Sequence, residues 1–111
     1  MTTREQDSQR MLSTLQRAQW RKLRQNAHKG SWSLTTLHTL CGRLHEEVAE
    51  LQDAVQNLER ASIGGMSLSG LDELADAAID EAGDVANFAG FIADRISEEM
   101  RISKQQRRSL L

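Results

Sequence analysis

Leu34-Thr-Thr-Leu37-His-Thr-Leu40-Cys41-Gly-Arg43-Leu44-His45-Glu46-Glu47-Val48-Ala49-Glu50-Leu51-Gln-Asp53-Ala-Val55-Gln-Asn-Leu58 decides the fold. Its apolar positions Leu34, Leu37, Cys41, Leu44, Val48, Leu51, Val55 and Leu58 advance by alternating steps of three and four. A strand would alternate every second residue, so this spacing predicts a long helix with one apolar seam, ending near Ala61. The next stretch, residues 62–70, holds three glycines and three serines and reads as a flexible connector. A second stripe follows from about Leu71, through Leu74, Ala78, Ala82, Val85, Ala89, Ile92 and Ile96. Both stripes read as packing surfaces, which makes the two segments a helical hairpin.

Upstream, residues 6–26 place Leu12, Leu15, Gln19 and Leu23 near one face of a further amphipathic helix. Residues 26–33 then break the pattern at Gly30, with Ser31 or Ser33 as the expected N-cap of the long helix. Proline is absent, and Leu, Ala, Gln, Glu and Arg dominate, so helix propensity is high throughout. The expectation is an all-α chain with two long antiparallel helices carrying the acidic segments. It forms a single domain over residues 1–111, with a core at about residues 23–96 and a basic C-terminal segment at about 97–111.

At 111 residues, with 39% hydrophobic content and only Trp20, Trp32, Phe88 and Phe91 as aromatics, the core must be thin. A homo-oligomer, dimer or tetramer, is therefore expected. Net charge is −2 with Lys and Arg spread along the chain, which argues against a partner bound mainly through a basic face, such as a nucleic-acid duplex. Cys41 is the single cysteine, so no intrachain disulfide or thiolate cluster can form. No run of apolar residues resembles a secretory leader or a membrane span, and a cytoplasmic location is expected.

The chemistry concentrates in two similar segments, His45-Glu-Glu-Val-Ala-Glu50-Leu and Ile79-Asp-Glu81-Ala-Gly-Asp84-Val. Residues three apart share a helix face, so Glu47 with Glu50, and Glu81 with Asp84, each present two carboxylates side by side. At about 100° per residue, Glu47 falls about 60° from the seam, half buried, with Glu50 farther out; Glu81 and Asp84 relate to their own stripe in the same way. Packing the stripes together brings four carboxylates to one place. Such a set repels itself unless a divalent cation neutralises it, and hard oxygen donors favour Mg²⁺, with Mn²⁺ as the alternative. A carboxylate di-iron bundle would instead use Glu-x-x-His, whereas Asp53 and Asp84 stand three residues after Glu50 and Glu81.

Glu46-Glu47-Val-Ala-Glu50 followed by Glu81-Ala-Gly-Asp84 resembles the E-E-x-x-E and E-x-x-D signature of MazG-like, all-α nucleoside triphosphate pyrophosphohydrolases. His28-Lys-Gly-Ser-Trp32 and the run from Asp84 through Asn87 to Asp94 are similar to small members often found in bacteriophages. The resemblance spans roughly residues 23–96, although the stretch between the two acidic segments is somewhat longer than is common. It implies hydrolysis of a nucleotide between its α and β phosphates, giving a monophosphate and pyrophosphate. It further implies Mg²⁺ ligands at Glu47, Glu50, Glu81 and Asp84, with Glu46 beside Glu47 in the catalytic set, orienting a water or a second metal. Trp32 would stack on the base or pack over helix ends. Lys29 and His28 would reach phosphates, Asn87 a base or phosphate, and Arg43 would pair with Glu47 or touch substrate. A non-catalytic oligomerisation module and a nucleotide sensor are the alternatives.

Overall fold

A computed structural model describes residues 2–110 as an all-α chain of three long helices, with no strand among the described residues. α1 spans Thr3–Gln25, α2 Leu37–Ile63 and α3 Leu68–Leu110. None of them is long and apolar enough to cross a membrane.

α1 starts three residues before the pattern predicts, because a capping box sits ahead of it. Thr2 Oγ1 accepts from Glu5 N and the Glu5 carboxylate accepts from Thr2 N, both at 3.1 Å. The loop after α1 contains two 3-10 turns, Ala27–Lys29 and Trp32–Leu34, separated by Gly30 at φ 84°, a conformation that favours glycine. Ser31 caps only the second of these turns, while Thr36 caps α2 by accepting from Thr39 N at 3.1 Å. α2 therefore begins at Leu37, and Leu34, expected at the head of the seam, is 93% exposed.

The connector expected over residues 62–70 shrinks to residues 64–67, since both flanking helices extend into it. Gly65 turns the chain at φ 76° and Ser67 Oγ accepts from Gly70 N at 3.2 Å, starting α3 early. α3 then runs unbroken for 43 residues through the basic segment, about 65 Å at 1.5 Å per residue, which sets the molecule's 68 Å long dimension.

α3 is the central element. α2 lies antiparallel to it, with Thr35 beside Arg95, Arg43 beside Phe88 and Glu47 and Glu50 beside Glu81. α1 also lies antiparallel, through Arg21–Asp80, Lys22–Asp84 and Asn87 Nδ2 donating to the Gln19 carbonyl at 3.0 Å. α1 and α2 do not pack on each other, so a groove opens between them above α3, and the loop of residues 26–36 runs along it.

The hairpin is rotated from the expected seam. Its buried line in α2 runs through Leu40 and Glu47, while Cys41 and Val55 remain exposed. The apolar stripes are wider than one interface, so the helices turn their acidic flank inward and leave part of the stripes facing out. Buried apolar residues among those described are few, Ala18, Leu40 and Ala78, in keeping with the thin core.

The α1–α3 contact depends on a missing side chain. A Cβ at Gly83 would lie 2.8 Å from the Ala18 carbonyl carbon and 2.9 Å from its Cβ, both atoms of a buried residue. Gly83→Ala is expected to destabilise by about 1–3 kcal/mol through overpacking, outweighing the roughly 1 kcal/mol gained in helix propensity. Gly42→Ala, in α2 with nothing within 4 Å of the new methyl, should instead stabilise by about 0.5–1 kcal/mol. Urea unfolding of the two variants checks the contrast in sign.

Candidate metal centre and adjoining cavity

Glu47, Glu50 and Glu81 each turn one carboxylate oxygen to a common point, all within 4.8 Å of one another. Helix geometry explains two of them, since Glu47 and Glu50 are one turn apart on α2. The antiparallel register of the hairpin supplies the third. Glu47 is 5% exposed, more deeply buried than the half-buried position the wheel gives, because of the rotated interface. Glu50 is exposed, so the cluster opens to solvent on that side.

Asp84, the fourth expected ligand, lines the same cavity but is tied to α1 by Lys22 Nζ at 3.2 Å. Burial alone lowers the lysine pKa, but the hydrogen bond and charge of Asp84, with Glu81 and Asp80 behind, carry it above the ordinary value. Lys22 is not among the residues expected at the site from sequence. Its signal is the adjacent pair Arg21-Lys22 on α1 facing Asp80 and Asp84, two acids four residues apart on α3.

Desolvation raises the Glu47 carboxyl to about 7, with the Glu50 hydrogen bond and the charges of Glu50 and Asp84 adding, against a lowering by Arg43. Glu81 is raised as well, first by burial and then by Glu50 and Asp84. Glu81 Oε2 is buried without a hydrogen-bond partner. An orphaned carboxylate oxygen within an all-oxygen donor set fits a hard divalent cation, which supplies both the missing partner and the missing charge.

These shifts fix a pH dependence. A carboxyl raised in the folded state contributes stability that is full below its ordinary value near 4.5 and is lost as pH climbs through about 7. Without divalent cations, the cluster's contribution to melting temperature is expected to fall between pH 5 and pH 8. Mg²⁺ should restore it at pH 8 and do little at pH 5, where protons hold the site. Thermal unfolding with EDTA or Mg²⁺ at both pH values measures this; an identical Mg²⁺ effect at the two would contradict it.

The groove forms a cavity of about 1020 Å³ with the carboxylates at one end and an aromatic wall at the other. Trp32 stacks on Phe91 with ring centroids 4.4 Å apart and planes at 16°, and Phe88 meets Phe91 edge-on at 5.3 Å. The indole N–H of Trp32 donates to Asp94 Oδ2 at 3.0 Å, and Arg95 Nε donates to the Thr35 carbonyl at 3.2 Å, so α3 holds the loop in place. Phe88, Phe91 and Lys22 join the lining without having been singled out in the sequence; the phenylalanines sit one turn apart just past Asp84, which was the available clue.

The remaining expected residues divide. Lys29 lines the cavity, whereas His28 is exposed and outside the lining. The first 3-10 turn directs these neighbours differently. Arg43 pairs with Glu47 at 3.2 Å and with Glu46, and lies over the Phe88 ring at 5.5 Å. Glu46 stays exposed and outside the lining, because residues adjacent on a helix point about 100° apart. Asn87 is buried and reaches the lining, but its amide N–H donates to α1. The cavity thus gathers Trp32, Lys29, Arg43, Glu47, Glu50, Glu81, Asp84 and Asn87, and leaves out His28 and Glu46.

No family model, curated protein or solved structure matches the chain.

Proposed function

We propose that this chain is a Mg²⁺-dependent nucleoside triphosphate pyrophosphohydrolase, in line with its resemblance to the MazG-like enzymes, and that it works as a homo-oligomer. The observation that carries the reading is the Glu47–Glu50–Glu81 cluster with its orphaned Glu81 oxygen, at the acidic end of a cavity whose other end is aromatic. Glu47, Glu50 and Glu81 would hold the cation, with Asp84 completing the set once Lys22 releases it. A Mg²⁺ or Mn²⁺ ion held there would offset phosphate charge and lower the pKa of water near the site.

The chain's own groups supply the rest. Glu47, whose carboxyl is raised to about 7 in the cation-free site, would give up that proton on holding the cation and bind it as the carboxylate. Lys29 and, when freed from Asp84, Lys22 supply positive charge for phosphate oxygens. Arg43 keeps Glu47 oriented from one turn away. Phe91 and Glu81 stand ten residues apart on α3, roughly 15 Å, a span that lets a base lie by Trp32 while its phosphates reach the carboxylates. Hydrolysis then yields a monophosphate and pyrophosphate. A panel of ribo- and deoxynucleoside triphosphates with Mg²⁺ and with Mn²⁺, followed by pyrophosphate release, tests the reading. Saturable nucleotide binding with no release would favour a sensor instead.

A further inference from the structure

The back of α3 carries a second apolar line that neither α1 nor α2 covers. Ile79, Ala82, Ala86, Ala89, Ala93, Ile96 and Met100 follow one another by steps of three and four, the spacing of a seam that packs on another helix. At about 100° per residue, its centre lies roughly 120° from the residues that face α1 and from those that face α2. Each of the seven is half-buried or exposed, with Ile96 and Met100 at 48% and 52%.

The ends of this line carry opposite charge. Residues 68–80 contain Asp72, Glu73, Asp76 and Asp80 and no Lys or Arg, while residues 100–110 contain Arg101, Lys104, Arg107 and Arg108 and no Asp or Glu. Running outward at the same steps, the line reaches Asp72 and Leu68 at one end and Arg107 and Leu110 at the other, all exposed. The C-terminal turns of α3 also overhang the hairpin, because α2 begins opposite the Asp94–Arg95 region.

We propose that the occupant of this face is the α3 of a second copy of this chain, packed antiparallel about the middle of the line. That direction sets the basic last turns of each copy on the acidic first turns of the other, places Ile79 against Met100 and Ala82 against Ile96 across the pair, and brings Ala86, Ala89 and Ala93 together at its centre. A parallel pair would oppose like charges at both ends. The pairing rests on the self-association in the preceding reading and makes no use of the carboxylate cluster, so hydrolysis by a monomer would overturn the pairing and the homo-oligomer together and leave the hydrolase assignment standing.

Sedimentation of the full chain supplies the test. Arg107→Glu with Arg108→Glu is expected to weaken dimerisation by about ten-fold or more, as is Asp72→Lys with Asp76→Lys, and all four changes together should restore it. These positions are exposed, so helical content by circular dichroism should hold in every variant. A short bifunctional maleimide should also link Ala89→Cys, in a Cys41→Ser background, into covalent dimers. A wild-type chain that stays monomeric at micromolar concentration, whether or not its basic arm takes up anionic lipid or nucleic acid, overturns the proposal. A dimer unmoved by both charge reversals overturns it equally.

Discussion

Glu47→Gln is expected to lower pyrophosphate release by about a hundred-fold or more while making the cation-free protein melt higher above neutral pH. Two consequences of one side chain pull in opposite directions. Glu47 is 5% exposed, near Glu50 and within reach of Asp84's charge, so ionisation there works against folding. Glutamine keeps the volume and can still donate to Glu50, but it removes the buried charge, and the metal-free fold gains. What is lost is the negative charge on one of the three side chains whose oxygens converge within 4.8 Å, a charge needed to hold the cation. The Mg²⁺-dependent rise in melting temperature should shrink in the same variant. Asp84→Asn should likewise abolish turnover while leaving helical content intact, although it also releases Lys22 from its 3.2 Å ion pair. A Glu47→Gln enzyme that keeps most of its activity would contradict the proposed site.

Trp32→Ala is expected to raise KM by roughly ten-fold to a hundred-fold, the equivalent of about 1–3 kcal/mol for a lost base-stacking contact, with Mg²⁺ affinity nearly unchanged. By sequence, Trp32 stands about four turns before Glu47, and only the fold decides whether the two share a cavity. They do, because the loop is pinned to α3 by the Trp32–Asp94 and Thr35–Arg95 hydrogen bonds. One face of the indole rests on Phe91. The proposed base takes the other. Trp32→Phe should recover much of the loss, since it keeps a ring on the Phe91 wall and loses only the donor to Asp94. An unchanged KM in Trp32→Ala would assign the indole to packing, and a fall in helicity would assign it to the fold.

The all-α class and the pairing of the two acidic segments were legible because helical spacing and i, i+3 carboxylates are local properties of the chain. Element ends were read less well where a side chain settles them. Thr36 rather than a serine caps α2, and the Thr2–Glu5 box lengthens α1. Burial of Glu47 was underestimated because a helical wheel fixes relative angles within one helix, while the rotation of the hairpin depends on everything packed around it. Lys22 escaped notice for the same reason: its meeting with Asp84 joins helices more than sixty positions apart in sequence. Conversely, His28 was drawn in by its place beside Lys29 and Trp32, and Glu46 as the first acid of the E-E-x-x-E pattern; both lie outside the cavity lining because adjacent residues on a helical turn point different ways.

The most direct measurement is a product analysis of purified protein with a nucleoside triphosphate, with and without Mg²⁺. The account predicts Mg²⁺-dependent release of monophosphate and pyrophosphate in equal amounts, abolished by Glu47→Gln. Release of diphosphate and inorganic phosphate, or no turnover of any nucleotide in the panel with either Mg²⁺ or Mn²⁺, would contradict it.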